Sequence, residues 1–382
     1  MSITVKAADA AHFLSLVPGL LGFTPTQSLV LVPMSRGRSL GAMRLDLPPD
    51  GPDDVSSRID AVASAAIGMI CRLDEADALI AIVYTEDAIG ASTALPGAAI
   101  IAALRARADA SGLLLVDALT VASDGWGSHD DVDLPPGGRS PADLCERGPD
   151  AAARAGAGLR TPTGDQSSGA VLPRVGQPAR RAVGLAMRSL TAALEVICGI
   201  PSMGSAAPRI DPAALEAACE LDDLPSLFEH ALSWRPTQSP MRAAMLGWCL
   251  NRPGLRDIAL VQWATDQSGG DIASDAQRRW EDGEEYPVDL ALVMWGDAPR
   301  PDRVRLEAAL AVARDVAALL PKKHRPGPLA VCAWLSWALG RSTHAHRYAR
   351  SALAIDPRHG LADIVLAFVQ AGHLPEWAFR VE

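Results

Sequence analysis

The sequence predicts an α/β domain followed by an all-helical domain, and three observations support this. Residues 28–32 and 78–84 are almost wholly apolar, which is typical of strands covered on both faces. Segments with apolar residues at helical spacing separate these runs and fill the chain beyond residue 179. Between the two patterns, residues 124–178 are rich in Gly, Pro, Ser, Asp and Arg. We therefore predict an α/β domain at 1–123, a loop-rich linker or flap at 124–178 and a helical domain at 179–382.

The first predicted strand, residues 28–32, follows a short helix and a proline-containing turn. Residues 8–16 are compatible with a helix. We expect Pro18 and Gly22 to end it, because proline cannot continue a helix and glycine readily adopts the left-handed cap conformation. We expect Pro33 to end the strand, since proline cannot donate to a ladder.

The rest of the α/β domain alternates between strands and helices. Apolar and polar residues alternate over 40–47, which predicts a hairpin with the first strand. A helix from residue 55, a strand at 78–84, a helix opened by Pro96 and a strand at 113–121 follow. This order predicts a mixed sheet made of a hairpin and βαβ units with right-handed crossovers.

The second half predicts helical hairpins, because apolar-periodic segments alternate there with brief connections. The segments are 180–200, 212–219, 224–234, 241–250, 255–265, 288–295, 302–320, 329–339, 345–355 and 361–371. The hairpin before Pro357 resembles a tetratricopeptide unit, since Ala333, Ala345 and Ala352 then occupy its small-residue positions. A generic alanine-rich hairpin is the alternative.

Composition narrows the classes of function. The chain has 35 Lys and Arg against 45 Asp and Glu, a net charge of −10, which disfavours nucleic-acid binding because phosphates need a concentrated basic surface. No apolar run approaches the ~18 residues of a membrane helix, and a signal-peptide pattern is not seen, so we expect no membrane span. The six cysteines form no Cys-x-x-Cys pair. We expect a cytoplasmic protein without a metal or cofactor.

The first candidate site is a polar pocket at the strand ends, formed by Asp46, Asp117, Thr26 and Ser28. On its predicted strand Asp117 shares a face with apolar residues, where an ionised carboxylate needs a partner or solvent. Arg44 is that partner if the two strands are neighbours. The alternative is a structural ion pair or an edge position. The sequence contains no phosphate-binding, zinc-protease or serine-hydrolase motif.

The second candidate is the stretch after the last predicted strand. His129 lies beside Asp130, Asp131 and Asp133, a donor set that could bind a divalent cation, and Trp126 could cover a ligand. A solvated acidic loop is the alternative, and we predict no metal here.

Eight of the nine tryptophans lie beyond residue 230, which makes the helical half the expected interaction surface if they are not all used in packing. We expect a binding or scaffold protein whose helical domain engages a protein partner. The alternative is an enzyme, a hydrolase or other small-molecule-binding domain, with a pocket near the first turn. Oligomeric state is left open.

The opening of the chain resembles an actinobacterial family. LLGFTPTQSLV at 20–30 and RLDLP at 44–48 are similar to the start of the domain of unknown function 4192 (DUF4192) family, with weaker similarity at 113–119 and 334–340. The resemblance implies this architecture and an actinobacterial host, but no reaction. Many relatives carry a Cys- and Pro-rich turn after the last strand, whereas this chain has GSHDD at 127–131, so the resemblance implies no metal or redox role there.

Overall fold

The computed structural model describes residues 7–48, 55–91, 94–146, 161–199 and 210–380. The chain forms two compact units, the first up to Ser168 and the second from Gly169 to Arg380. The boundary therefore lies inside the predicted linker. The mixed sheet falls in the first unit and a mainly helical arrangement in the second, which confirms the predicted order of the two classes.

The first unit is built on one sheet of six strands. They are β1 (Ser28–Ser35), β2 (Arg38–Ser39), β3 (Met43–Asp46), β4 (Ala78–Tyr84), β5 (Leu114–Val121) and β6 (Trp126–Ser128). The order is β2-β1-β4-β5-β6, and β3 also pairs with β1. Among these pairs only β4 and β5 are parallel, so the sheet combines a hairpin with one βαβ crossover.

Four helices among the described residues cover the sheet: α1 (Ala10–Leu21), α2 (Val55–Ile70), α3 (Ala98–Ala110) and α4 (Ala142–Glu146). Alternate strand residues enter two separate cores because side chains alternate between the faces of a strand. Leu29 and Leu79 pack with α2 and α3, whereas Val30 and Ile82 pack with α1 and α4. The sheet is therefore a middle layer between two pairs of helices.

Two prolines that we predicted as terminators lie inside elements. Pro18 is within α1, which ends at Gly22 with φ of 84°. Burial of residues such as Val17 against the sheet outweighs the one helical hydrogen bond that Pro18 cannot make. Pro33 lies within β1, and its carbonyl accepts a hydrogen bond from Leu40 at 2.9 Å. The N and the C=O of a strand residue point toward the same neighbouring strand, and those of Pro33 point toward the hairpin. The missing N–H of Pro33 therefore removes one hydrogen bond from the hairpin and none from the pairing of β1 with β4.

Part of the predicted linker is regular structure of the first unit. The short elements β6 and α4 lie within it, and neither is long enough to show a hydrophobic period. Residues 161–168 contact the first turn, where Thr24 N donates to Gly164 O at 2.9 Å. Gln166 exchanges two hydrogen bonds with the backbone of Thr26: its Oε1 accepts from Thr26 N at 3.1 Å, and its Nε2 donates to Thr26 O at 3.0 Å. Residues 147–160 of the predicted linker lie outside the described residues, as do residues 49–54.

The second unit contains eleven described α-helices. They are α5 (Gln177–Ile197), α6 (Pro212–Glu220), α7 (Leu224–Ala231), α8 (Pro240–Leu250), α9 (Pro253–Ala264), α10 (Gln267–Glu281), α11 (Val288–Trp295), α12 (Arg303–Leu319), α13 (Pro326–Ala338), α14 (Ser342–Leu353) and α15 (Gly360–Gln370). Only α10 was not predicted. Its buried positions are the small residues Gly270, Ala273 and Ala276, which carry too little apolar surface to form a visible stripe.

Most tryptophans of the second unit are packing residues. Trp263, Trp334 and Trp337 are fully buried, and Trp377 is 3% exposed. Trp280 and Trp295 are exposed. Within the described residues, no helix is both long and apolar enough to cross a bilayer.

Candidate ligand site at the strand ends

Four of the five predicted pocket residues lie together at one end of β1 and β3. Ser28 Oγ donates to Thr26 O at 2.7 Å and accepts from Arg44 Nε at 2.7 Å. Arg44, whose side chain is 8% exposed, also pairs with Asp46, which is 84% exposed. The buried guanidinium of Arg44 thus has hydrogen-bond partners on β1 and on its own strand, β3, and Asp46 faces solvent. This network fixes the start of β1.

Asp117 is not part of that network. Its Oδ1 accepts a hydrogen bond from Ser128 Oγ at 2.7 Å. The strands β1 and β4 separate β3 from β5, and strands lie about 4.8 Å apart, so Asp117 and Arg44 are about 14 Å apart across the sheet. Arg44 and Asp117 could pair only if β3 and β5 were neighbours in the sheet, and they are not. Strand order depends on tertiary contacts, which local spacing does not encode.

A bulge in β5 also changes the face that Asp117 occupies. Leu79 pairs with Leu115, whereas the next residue of β4, Ile80, pairs with Asp117. The extra residue, Val116, lies between Leu115 and Asp117. Plain alternation predicts that Asp117 and Leu115 share a face of the sheet, but the bulge places them on opposite faces.

Trp126 is a core residue of the sheet. It is 5% exposed and its Nε1 donates to Ser140 O at 3.0 Å. The ring therefore packs in the interior of the first unit and lies on β6, not in a loop.

His129 is a neutral, hydrogen-bonded residue. Its Nε2 lies 2.9 Å from Thr120 Oγ1, and Thr120 donates its single hydroxyl proton to Pro96 O at 2.9 Å. His129 Nε2 must therefore be the donor in the first contact. Burial lowers the pKa of His129, which favours the neutral ring.

Two of the three carboxylates after His129 have arginine partners. Asp130 accepts from Arg105 at 2.8 Å, and Asp131 accepts from Arg139 at 2.6 Å. No group of three or more His, Cys, Asp or Glu side chains in the described ranges is arranged to hold a metal ion.

A cavity of about 380 Å³ lies at the carboxyl ends of the two parallel strands. Tyr84 at the end of β4 and Val121 at the end of β5 line it, together with Leu14 and Pro18 of α1 and Thr26 of the first turn. Open α/β sheets place their ligand sites in crevices outside the carboxyl ends of their strands. The cavity therefore occupies the position that this fold favours for a ligand.

Tyr84, one of the residues that line this cavity, carries an unusual polar group. The residue is 6% exposed, and its buried hydroxyl has no hydrogen-bond partner among the described residues. Burial raises the pKa of Tyr84, so the phenol stays protonated at neutral pH and can donate. An unpaired buried hydroxyl costs about 1–3 kcal/mol, which a bound acceptor would offset.

The strand register explains why the sequence indicated this place but not this residue. Ser28 on β1 pairs with Tyr84 on β4, which pairs with Val121 on β5. Thr26 and Ser28, predicted from the first turn, therefore lie beside Tyr84. In the sequence Tyr84 is only the last residue of an apolar run, and its lack of a partner is visible only in three dimensions.

The rim of the cavity is held in a strained conformation. Gln27 has φ of 44°, in the left-handed region that non-glycine residues rarely adopt. Its side chain accepts a hydrogen bond from Glu86 N at 2.8 Å, which ties the first turn to the end of β4. With Gln166 bound to Thr26, these contacts fix the rim. Backbone strain of this kind is often found where a binding surface is pre-organised.

The fold and the cavity together define a class: a two-unit protein in which an α/β unit carries a strand-end cavity and a second unit is built of packed helices. The family model described as Domain of unknown function (DUF4192) matches residues 11–376, and the chain belongs to that family. The resemblance seen in the opening motif is thus confirmed. No curated protein matches the chain. No solved structure matches it either.

Proposed function

We propose that the first unit binds a small organic molecule in the cavity at the ends of β4 and β5. The observation that carries this proposal is the buried Tyr84 hydroxyl, which lacks a partner in the described part of the chain and belongs to a residue that lines the cavity. The position at the ends of parallel strands supports the same function.

The lining indicates the chemistry of the ligand. The volume of about 380 Å³ falls in the lower part of the usual range for ligand sites. Leu14, Val121 and Leu144 provide apolar surface, and Glu86 is the one charged residue among the described lining residues. We therefore propose a neutral or cationic ligand that is mostly apolar and offers a carbonyl or hydroxyl acceptor to Tyr84. We propose binding and not a reaction, because Asp46 and Asp117 lie too far apart to act together.

Tyr84→Phe tests this proposal. The substitution removes an unpaired buried hydroxyl, so the free protein is expected to be as stable as the wild type or more stable by about 1 kcal/mol. Binding of small cyclic ketones and amides, measured as a rise in melting temperature of the full chain, is expected to weaken about tenfold in the variant.

Tyr286→Phe is the matched control, since Tyr286 is half-buried in the second unit and does not line the cavity. It is expected to bind the probes like the wild type. Equal binding by the Tyr84 variant, or no response of the wild type to any probe at millimolar concentration, would contradict the proposal.

We propose protein binding by the second unit as a second candidate function. Trp295 is 53% exposed and Ile364 is 47% exposed. Both lie next to Phe368: the Trp295 and Phe368 ring centroids are 5.2 Å apart, and Ile364 precedes Phe368 by one helical turn. Phe368 itself is 8% exposed, so the exposed apolar side chains are those of Trp295 and Ile364. We call these two the Trp295 surface and propose that a partner covers them.

Trp295→Ser in the full-length chain is expected to lose partners that the wild type captures in a pull-down, because the aromatic anchor of the surface is gone. Trp280→Ser is the control, since Trp280 is 54% exposed but lies on α10. If both variants retain the partners of the wild type, the Trp295 surface is not their binding site.

We also propose that the protein is cytoplasmic, comes from an actinobacterium, does not bind nucleic acid and has a tetratricopeptide-like hairpin in α13 and α14. The six cysteines without a Cys-x-x-Cys pair support the cytoplasmic location, the opening motif supports the host, and the net charge of −10 supports the point on nucleic acid. Ala333, Ala345 and Ala352 are fully buried, as close helix packing in such a hairpin requires. A salt-dependent mobility shift with DNA or RNA would contradict the point on nucleic acid.

A further inference from the structure

The second unit contains a cavity with an unusual combination of charge and apolar surface. It has a volume of about 280 Å³, and both charged residues that line it, Arg325 and Arg347, are cationic. Leu329 and Ile355 form apolar wall, and Tyr348 adds a phenol. None of the described lining residues is acidic. The cavity thus offers positive charge next to a hydrocarbon surface.

The walls of this cavity are held in place without a ligand. Leu329 on α13 and Tyr348 on α14 are 3% and 2% exposed, so packed helices fix them. The segment 170–172 also lines the cavity and is anchored by Arg314 Nη2, which donates to Val171 O at 2.8 Å. Ala170 in this segment is 6% exposed. Little reorganisation is therefore needed on binding.

Arg325, at the edge of the cavity, and its neighbour Arg180 are bound by backbone carbonyls. Arg325 Nε donates to Leu320 O at 2.8 Å, and its Nη2 reaches Ala318 O at 3.4 Å. Arg180 Nε donates to the same Ala318 carbonyl at 3.3 Å. In the described part of the chain neither of these two arginines has a carboxylate partner, so two guanidinium groups share backbone carbonyls alone. Burial and, second, the charge of Arg180 lower the pKa of Arg325, which means that the surroundings disfavour its cation.

We propose that this cavity binds a small organic acid, with the carboxylate between Arg325 and Arg347 and the hydrocarbon part against Leu329 and Ile355. A carboxylate supplies the negative charge that the described lining does not contain, and charge-assisted hydrogen bonds to guanidinium groups are strong. At about 30 Å³ per water, the cavity holds roughly nine heavy atoms, the size of hexanoate. This site is separate from the strand-end cavity and does not depend on the function proposed for it.

Calorimetric titration of the full-length protein with hexanoate tests the proposal. Hexanoate is expected to bind more tightly than hexan-1-ol, which lacks the charge, and than inorganic phosphate, which lacks the hydrocarbon. Arg347→Gln is expected to weaken hexanoate binding about tenfold or more, since it removes a charged donor. Arg347 is the residue to change because its side chain is exposed, whereas Arg325 also binds carbonyls at the end of α12.

Arg350→Gln is the matched control, because Arg350 is also an exposed arginine of α14 but does not line the cavity. It is expected to bind hexanoate like the wild type, and a common circular dichroism spectrum confirms that both variants are folded. Three results would overturn the proposal: no hexanoate binding by the wild type, hexan-1-ol binding as well as hexanoate, or equal losses in the two variants.

Discussion

Replacing Gly327 with alanine is expected to lower the free energy of unfolding of the second unit by about 3 kcal/mol or more. A Cβ at this position of α13 would lie 2.2 Å from Leu250 O and 2.8 Å from Asn251 Cα. Both are backbone atoms, so no side-chain rotation relieves the overlap. Asn251 is held further by its own hydrogen bonds, donating to His324 O at 2.8 Å and accepting from Gly327 N at 3.2 Å.

Urea unfolding followed by tryptophan fluorescence measures this effect, since eight of the nine tryptophans lie in the second unit. Gly184→Ala is the control. Gly184 is also within a helix, but its Cβ would meet only Pro321 at 3.6 Å, an ordinary contact. This variant is expected to be unchanged or more stable by up to about 1 kcal/mol, because alanine favours the helix. Equal unfolding midpoints for the two variants would contradict the packing seen at Gly327.

Trp337→Ala is expected to cost about 3–5 kcal/mol, the usual loss when a large aromatic side chain is removed from a core. Trp337 is fully buried, and its ring lies 5.0 Å from that of Phe368 and 6.1 Å from that of Trp334, measured between centroids. Its Nε1 donates to His373 O at 2.8 Å. The substitution therefore leaves a cavity and removes the donor to a carbonyl at the same time.

Trp280→Ala is the matched control for this prediction, because Trp280 is 54% exposed. Its free energy of unfolding is expected to stay within about 0.5 kcal/mol of the wild type. Scanning calorimetry of the full chain is the measurement. If the Trp337 variant has the same melting temperature as the Trp280 variant, the aromatic cluster contributes little to the stability of the second unit.

Both predictions concern α13, the helix whose start carries one of the cavity arginines. Arg325 immediately precedes α13, and Leu329 of the same helix forms the apolar wall. Close backbone packing at Gly327 and the aromatic cluster at Trp337 hold this helix at two points along its length. The arginine cavity is therefore positioned by core packing and not by its own polar contacts alone.

The helical spacing of apolar residues was sufficient to predict ten of the eleven described α-helices of the second unit. The signal is strong where leucine and valine form the buried face, as in α12. It fails in α10, whose buried face is made of small residues. There Gly270 packs so closely against Gln262 that a Cβ would lie only 2.1 Å from Gln262 Oε1. Glycine permits this close approach, which no hydrophobic pattern records.

The candidate sites were predicted less completely than the fold. Thr26 lines the strand-end cavity and Ser28 pairs with Tyr84 beside it, as proximity to the first turn indicated. Asp117 was placed with Arg44 on local evidence, but two strands lie between them. The arginine cavity joins residues 170–172 to side chains more than 150 positions later, and no motif in the sequence connects them.

The sequence by itself determined most of the segments that become strands and helices and the family to which the chain belongs, because both follow from short-range patterns of residue type. The tertiary structure decided the strand order, the bulge before Asp117 and the two prolines inside regular elements. It also decided which described polar groups lack a hydrogen-bond partner, as at Tyr84, and which arginines lack a carboxylate partner, as at Arg325. Burial and hydrogen bonding depend on what the rest of the chain brings to each residue, so Tyr84 and Arg325 become candidate binding residues only after the chain has folded around them.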